Sequence, residues 1–224
     1  MSDFIMVAGS SYRCGSTLVQ RLLNNSGEAT IYGEMSSMMT GFTELYSRQY
    51  NERTIARSDE QITQFENRED YFTANVLPDK KNFYGGVFNF LHYYLRADTP
   101  IIGFKSLFTP YEAGINLLRT GGKIIFVDRD VDDCYNSYKE IYGFITRGAF
   151  YTLYERTEGF KNILSYDEVF HLKYDEINEE KINELFDWCG IVNKDRVTET
   201  LNNKIREVPG YDRQKRIDDA KPNG

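Results

Sequence analysis

Short apolar runs alternate with longer stretches of helical spacing along this chain, and that alternation leaves few folds open. Residues 4–8 (FIMVA) form a run too short for a core helix, and it ends in Gly9-Ser10-Ser11 like a buried strand entering a loop. Similar runs follow at 29–32, at 100–105 (PIIGFK), at 123–127 (KIIFV, entered through Gly121-Gly122) and at 169–174 (VFHLKY). Between them, Leu18, Val19, Leu22 and Leu23 recur at helical spacing and stop at Asn24-Asn25-Ser26-Gly27. Further helices are predicted over 112–119 and 131–142, and a last one puts Ile182, Leu185, Phe186 and Cys189 on one face before Gly190. Strands alternating with helices predict an α/β fold: a mainly parallel sheet of about four to five strands, flanked by helices on both faces.

A length of 224 residues suits a single domain over 1–224. Within it, 35–96 reads as a mostly helical cover, because twelve Phe or Tyr residues fall between Phe42 and Tyr94, a density above the 15% of the whole chain. The polar, basic segment 209–224 reads as a tail that moves or closes over a ligand. A formal net charge of −7 argues against nucleic acid and anionic membrane as partners. It also means that any anionic ligand must be held by local positive charge. Cys14, Cys134 and Cys189 are odd in number and widely spaced, which excludes a disulfide framework and a zinc knuckle. With no signal-like segment and no apolar stretch near twenty residues, a cytoplasmic location is expected.

A parallel sheet places ligands beyond the carboxyl ends of its strands. Residues 9–17 (GSSYRCGST) sit at such a place. Free N–H groups at a helix start, with the Ser16 and Thr17 hydroxyls, can cradle a tetrahedral anion, and Arg13 adds forked donors. A nucleoside-triphosphate loop, GxxxxGK[ST], is disfavoured by spacing: five residues separate Gly9 from Gly15, and no lysine follows. The plainer alternative has Ser16 and Thr17 capping a helix while Arg13 is a surface charge. Further along, the KIIFV strand delivers Arg129 to the same sheet edge, and Ser137 follows two turns into the next helix. Together they would grip a second phosphate, unless Arg129 pairs with Asp130, Asp132 or Asp133.

Taken in order, Arg13-Cys14-Gly15-Ser16-Thr17, then Arg129 with Ser137-Tyr138, then residues 172–177 (LKYDEI), resemble three motifs of the sulfotransferases that use 3′-phosphoadenosine 5′-phosphosulfate. The resemblance spans about three quarters of the chain and implies a P-loop NTPase-like sulfotransferase fold. It also implies that Arg13, Cys14, Gly15, Ser16 and Thr17 hold the 5′-phosphosulfate and that Arg129 and Ser137 hold the 3′-phosphate. The product would be 3′,5′-bisphosphoadenosine, the acceptor a carbohydrate, peptide or small-molecule hydroxyl, and no metal would be required.

Two departures stand out. Where cytosolic members carry a histidine after Lys-Thr, this chain has Lys105-Ser106-Leu107, and the family's C-terminal basic loop is only hinted at by Arg213, Lys215 and Arg216. Tyr32-Gly33-Glu34 is similar to a Gly-Glu pair in the tyrosylprotein and some bacterial carbohydrate branches, which makes Glu34 the expected base and Lys105 the leaving-group cation. Glu34 would otherwise sit in a helix's first turn, where a carboxylate suits the dipole. His92, in the aromatic helix FNFLHYYLR, is the rival base, and His171 reads as a strand residue of the core. A kinase-like phosphotransferase and a non-catalytic bisphosphonucleotide binder are the alternatives to sulfuryl transfer.

Overall fold

The computed structural model describes residues 3–54, 58–66, 80–107, 111–143, 145–155 and 157–203. Five strands, β1 (Asp3–Gly9), β2 (Ala29–Glu34), β3 (Ile101–Leu107), β4 (Lys123–Asp128) and β5 (Val169–Lys173), form one sheet in the order β2-β3-β1-β4-β5. Every pairing is parallel, so the α/β expectation of a parallel sheet holds. The chain moves one way from β1 to β2 and the other way from β2 to β3 and from β3 to β4. Right-handed crossovers then put the connecting helices on opposite faces.

One face carries α1 (Ser16–Asn25), α6 (Val131–Tyr142), α7 (Arg147–Glu155), α8 (Glu179–Cys189) and α9 (Val197–Asn202), packed over Ile5, Val7, Ile31, Ile125, Val127 and Leu172. The other carries α2 (Ser36–Thr54), α4 (Lys80–Tyr94) and α5 (Tyr111–Arg119) over Phe4, Met6, Ile102, Phe104, Ile124 and Phe126. Alternate residues of each central strand thus enter opposite cores, which is why these strands read as unbroken apolar runs. Each buried Ile, Leu or Phe contributes about 1.5–3 kcal/mol. Within the aromatic stretch, Phe42, Phe83 and Phe88 pack on the second core, whereas Phe90, Tyr93 and Tyr94 are exposed. Helix α3 (Asp59–Glu66) lies in the same stretch.

Helices α7 and α9 and a 3-10 segment, Glu158–Ile163, go beyond the elements predicted from the sequence. The last of these buries Phe160 and Ile163 against the α5 face. No helix among the described residues is long and apolar enough to cross a membrane.

Candidate functional site

Loop 10–15 joins β1 to α1 at the carboxyl edge of the central strand, where the chain's direction across the sheet changes. Its backbone is bent by two left-handed residues, Arg13 (φ 69°) and Gly15 (φ 105°). Gly15 is also the N-cap of α1, and no side chain caps the helix. Leu18 and Val19 donate to the Gly15 carbonyl, so the Ser16 and Thr17 N–H groups are left for a ligand or for water, in a concave backbone arrangement that suits an anion. Glycine is required at position 15 twice over: the φ is strained for any other residue, and a Cβ there would lie 2.5 Å from the Tyr174 ring. Cys14 is fully buried beneath the loop and packs in the α1-face core.

The second motif arrives beside the first. Arg13 donates from Nε to the Ser137 hydroxyl at 3.3 Å, and Arg129 donates from Nη1 to the Arg13 carbonyl at 3.2 Å. The structure therefore brings Arg13, Arg129 and Ser137, residues far apart in sequence, to one place. Of the acids that competed for Arg129, two are otherwise engaged. Asp130 caps α6 by accepting the N–H groups of Asp132 and Asp133, and Asp132 pairs with Arg147. Asp128 accepts the Arg129 N–H at 2.9 Å. Among the described residues no carboxylate is paired with either guanidinium, and the buried Nε of Arg129 has no hydrogen-bond partner. The Arg129 guanidinium lies 4.2 Å from the centre of the Tyr174 ring. Tyr174 thus touches both motifs, a role missed in the sequence although the LKYDEI signature contains the residue.

A third group stands on the other side of the α1 N-terminus. Lys105 donates from Nζ to the Thr17 hydroxyl at 3.1 Å, and the same nitrogen lies 4.0 Å from Glu34 Oε2. A bulge makes this possible. Tyr32 pairs with Phe104, but the next paired residue is Glu34, opposite Lys105, so Gly33 is skipped. Regular alternation would turn Glu34 to the face of Tyr32, which packs on the opposite core; the extra residue turns it toward Lys105 and α1. Glu34 is therefore the last residue of β2 and not part of a helix's first turn.

Tyr12 directly precedes Arg13 in the loop. Its ring packs on Tyr138 (5.1 Å between centres), which packs in turn on Tyr142 (4.7 Å). Burial pushes the Tyr12 phenol up, and the Glu34 charge and Tyr142 add to the rise. Burial likewise pushes the Cys134 thiol up to about 12, so this neighbour of the loop is an inert packing group.

Neither histidine is part of the cluster. His92 packs on Phe4 and Phe88 near the opposite end of β1, five strand residues or roughly 16 Å from Gly9. His171 lies 3.9 Å from Asp128 Oδ2. Arg213, Lys215 and Arg216 fall outside the described residues. No three His, Cys, Asp or Glu side chains converge as metal ligands among the described residues.

No protein-family model and no curated protein matches the chain. Solved structures resemble it in fold. One is an unliganded sugar kinase from a Janibacter species, at 14% identity, covering 86% of this chain and 97% of that one, with a TM-score of 0.45. Another is a retinol dehydratase in complex with androsterone and inactive cofactor PAP, at 14% identity and a TM-score of 0.43; it covers 88% of this chain and 62% of that one. A putative plasmid partition protein from Borrelia burgdorferi B31, bound to AMPPNP, matches at 11% identity over 90% and 96% of the two chains, with a TM-score of 0.30.

Proposed function

We propose that this chain is a sulfotransferase that moves a sulfuryl group from 3′-phosphoadenosine 5′-phosphosulfate to an acceptor hydroxyl. The observation that carries the reading is the meeting of Arg13, Ser137 and Arg129 beside an uncapped helix N-terminus, with no carboxylate among the described residues paired to either guanidinium. A buried arginine donor without a partner, such as Arg129 Nε, is costly to keep, and an anionic ligand with phosphates at two positions would satisfy it while also meeting the exposed Arg13. The orphaned Nε of Arg129 fits such a ligand.

In this reading the donor supplies an activated sulfuryl group on its 5′-phosphate. Loop 10–15, Ser16 and Thr17 hold that end, while Arg129 and Ser137 hold the 3′-phosphate. Glu34 takes the proton of the acceptor hydroxyl as its oxygen bonds to sulfur. The bond from sulfur to the 5′-phosphate oxygen breaks, and the electron pair stays on that oxygen. Lys105, steadied by Thr17, neutralises the charge left there, a contribution that grows as the charge develops.

Glu34→Gln is isosteric and removes the base. It is expected to lower transfer of radiolabelled sulfate by about 10²–10⁴-fold while the affinity for 3′,5′-bisphosphoadenosine stays unchanged. Unaltered turnover would remove Glu34 from this role.

A further inference from the structure

We propose that Tyr174 is a positioning residue for Arg129: its ring holds the guanidinium ready for the 3′-phosphate without using the donors that the phosphate needs. This rests on the sulfotransferase reading. Strand register brings the two residues together. β4 and β5 run parallel with Asp128 opposite Lys173, so Arg129 and Tyr174 are the first residues beyond the two strand ends. Lys173 is still extended, and Tyr174 opens the 3-10 turn Tyr174–Glu176, which the Ile177 N–H closes on the Tyr174 carbonyl at 3.2 Å. The Arg129 guanidinium carbon then lies 4.2 Å from the centre of the Tyr174 ring. One edge of the same ring lies against Gly15, where an added Cβ would come within 2.5 Å of Cδ2 and 2.9 Å of Cε2. The ring therefore bears on Arg129 and on the anion loop at once.

A guanidinium can be steadied in two ways. A carboxylate would accept its N–H groups, cancel its charge and compete with a ligand phosphate for the same donors. An aromatic ring attracts the cation through its π electrons and accepts none of the in-plane N–H groups. Arg129 has the second kind of partner. Its Nη1 donates to the Arg13 carbonyl at 3.2 Å, and its buried Nε has no hydrogen-bond partner. Ring and carbonyl are two fixed points for a long side chain, so less rotamer freedom is left to lose when an anion binds. Both Tyr174 contacts are made by the ring, so the phenol hydroxyl is dispensable to the role. The contribution should also be selective. 5′-AMP shares the base, the ribose and the 5′-phosphate of 3′,5′-bisphosphoadenosine but has no 3′-phosphate for Arg129 to meet.

The test is titration calorimetry of the full chain with 3′,5′-bisphosphoadenosine and with 5′-AMP, in wild type, Tyr174→Phe, Tyr174→Leu, Arg129→Ala and the Tyr174→Leu/Arg129→Ala double variant. A melting curve checks the fold of each, and Tyr174→Met serves as a second ringless variant. Tyr174→Leu keeps bulk but loses the ring, and should weaken the bisphosphate about three- to thirtyfold while 5′-AMP changes by about twofold or less. Tyr174→Phe keeps the ring and should stay within about twofold of wild type for both ligands. Once Arg129 is alanine, Tyr174→Leu should weaken the bisphosphate no further, because the ring acts through the arginine. Equal losses for both ligands would assign Tyr174 to loop packing or to direct contact with the nucleoside, and overturn the positioning role. So would a ringless variant that binds as wild type does, a Tyr174→Phe loss as large as that of Tyr174→Leu, or a full Tyr174→Leu loss in the Arg129→Ala background. A wild-type chain with no preference for the bisphosphate would instead sink the sulfotransferase reading, and this inference with it.

Discussion

Arg13 holds a backbone conformation that costs a non-glycine residue about 1–2 kcal/mol, and it does so at the mouth of the site. Its Nε bond to Ser137 and the Arg129 bond to its carbonyl hold it there. Arg13→Gly should therefore leave thermal stability unchanged or slightly higher while affinity for 3′,5′-bisphosphoadenosine falls at least about tenfold. A melting curve and a titration on the same sample check both halves. Asp128, which accepts the Arg129 N–H, makes a different prediction. Burial works against ionising it, but His171, the Ser10 hydroxyl and the Lys161 charge outweigh burial and hold its carboxyl below the usual range. A depressed carboxyl binds protons less readily in the fold than in the unfolded chain. Its stabilisation is full above the unfolded value of about 3.9 and fades as pH falls through the lower folded value. Urea unfolding between pH 6 and 3 should show a shallower acid loss in Asp128→Asn than in wild type; identical acid limbs would contradict the assignment.

At the scale of elements, the edge of the sheet shows what binary patterning conceals. Asn24 donates to the Ile31 carbonyl at 3.0 Å and accepts the Ile31 N–H at 2.7 Å, while Gln20 donates to the same carbonyl at 2.9 Å. These α1 side chains satisfy the outer edge of β2, which would otherwise offer a pairing template. Asn24→Ala should cost about 1–2 kcal/mol in chemical unfolding, a few degrees of melting temperature. In the sequence Asn24 read only as a helix stop. The five strands were legible because strands buried on both faces are unbroken apolar runs. Arg13, Arg129 and Ser137 were legible as separate motifs because each follows a strand at fixed spacing. The Glu34–Lys105 approach was not, since it depends on a bulge at Gly33 that regular alternation conceals. Nor was the contact of Tyr174 with Gly15 and Arg129, which is wholly tertiary. Helix α7 escaped because its described residues bury only Phe150 fully, too little for an apolar stripe to stand out.

For the molecule as a whole, charge and topology pull in opposite directions. A chain of net charge −7 repels an anionic ligand at long range, yet the sheet's change of direction gathers Arg13, Arg129 and Lys105 around one helix N-terminus. Local donors within hydrogen-bond reach outweigh a diffuse field that salt screens beyond about 8–10 Å. The account stands on those arginines recognising two phosphates on one nucleoside. Titration calorimetry comparing 3′,5′-bisphosphoadenosine with 5′-AMP tests this most directly, in wild type and in Arg129→Ala. The account predicts a preference for the bisphosphate of about 10- to 100-fold, collapsing in Arg129→Ala while 5′-AMP binding persists. Equal affinities in wild type, or a preference that survives loss of the arginine, would contradict it.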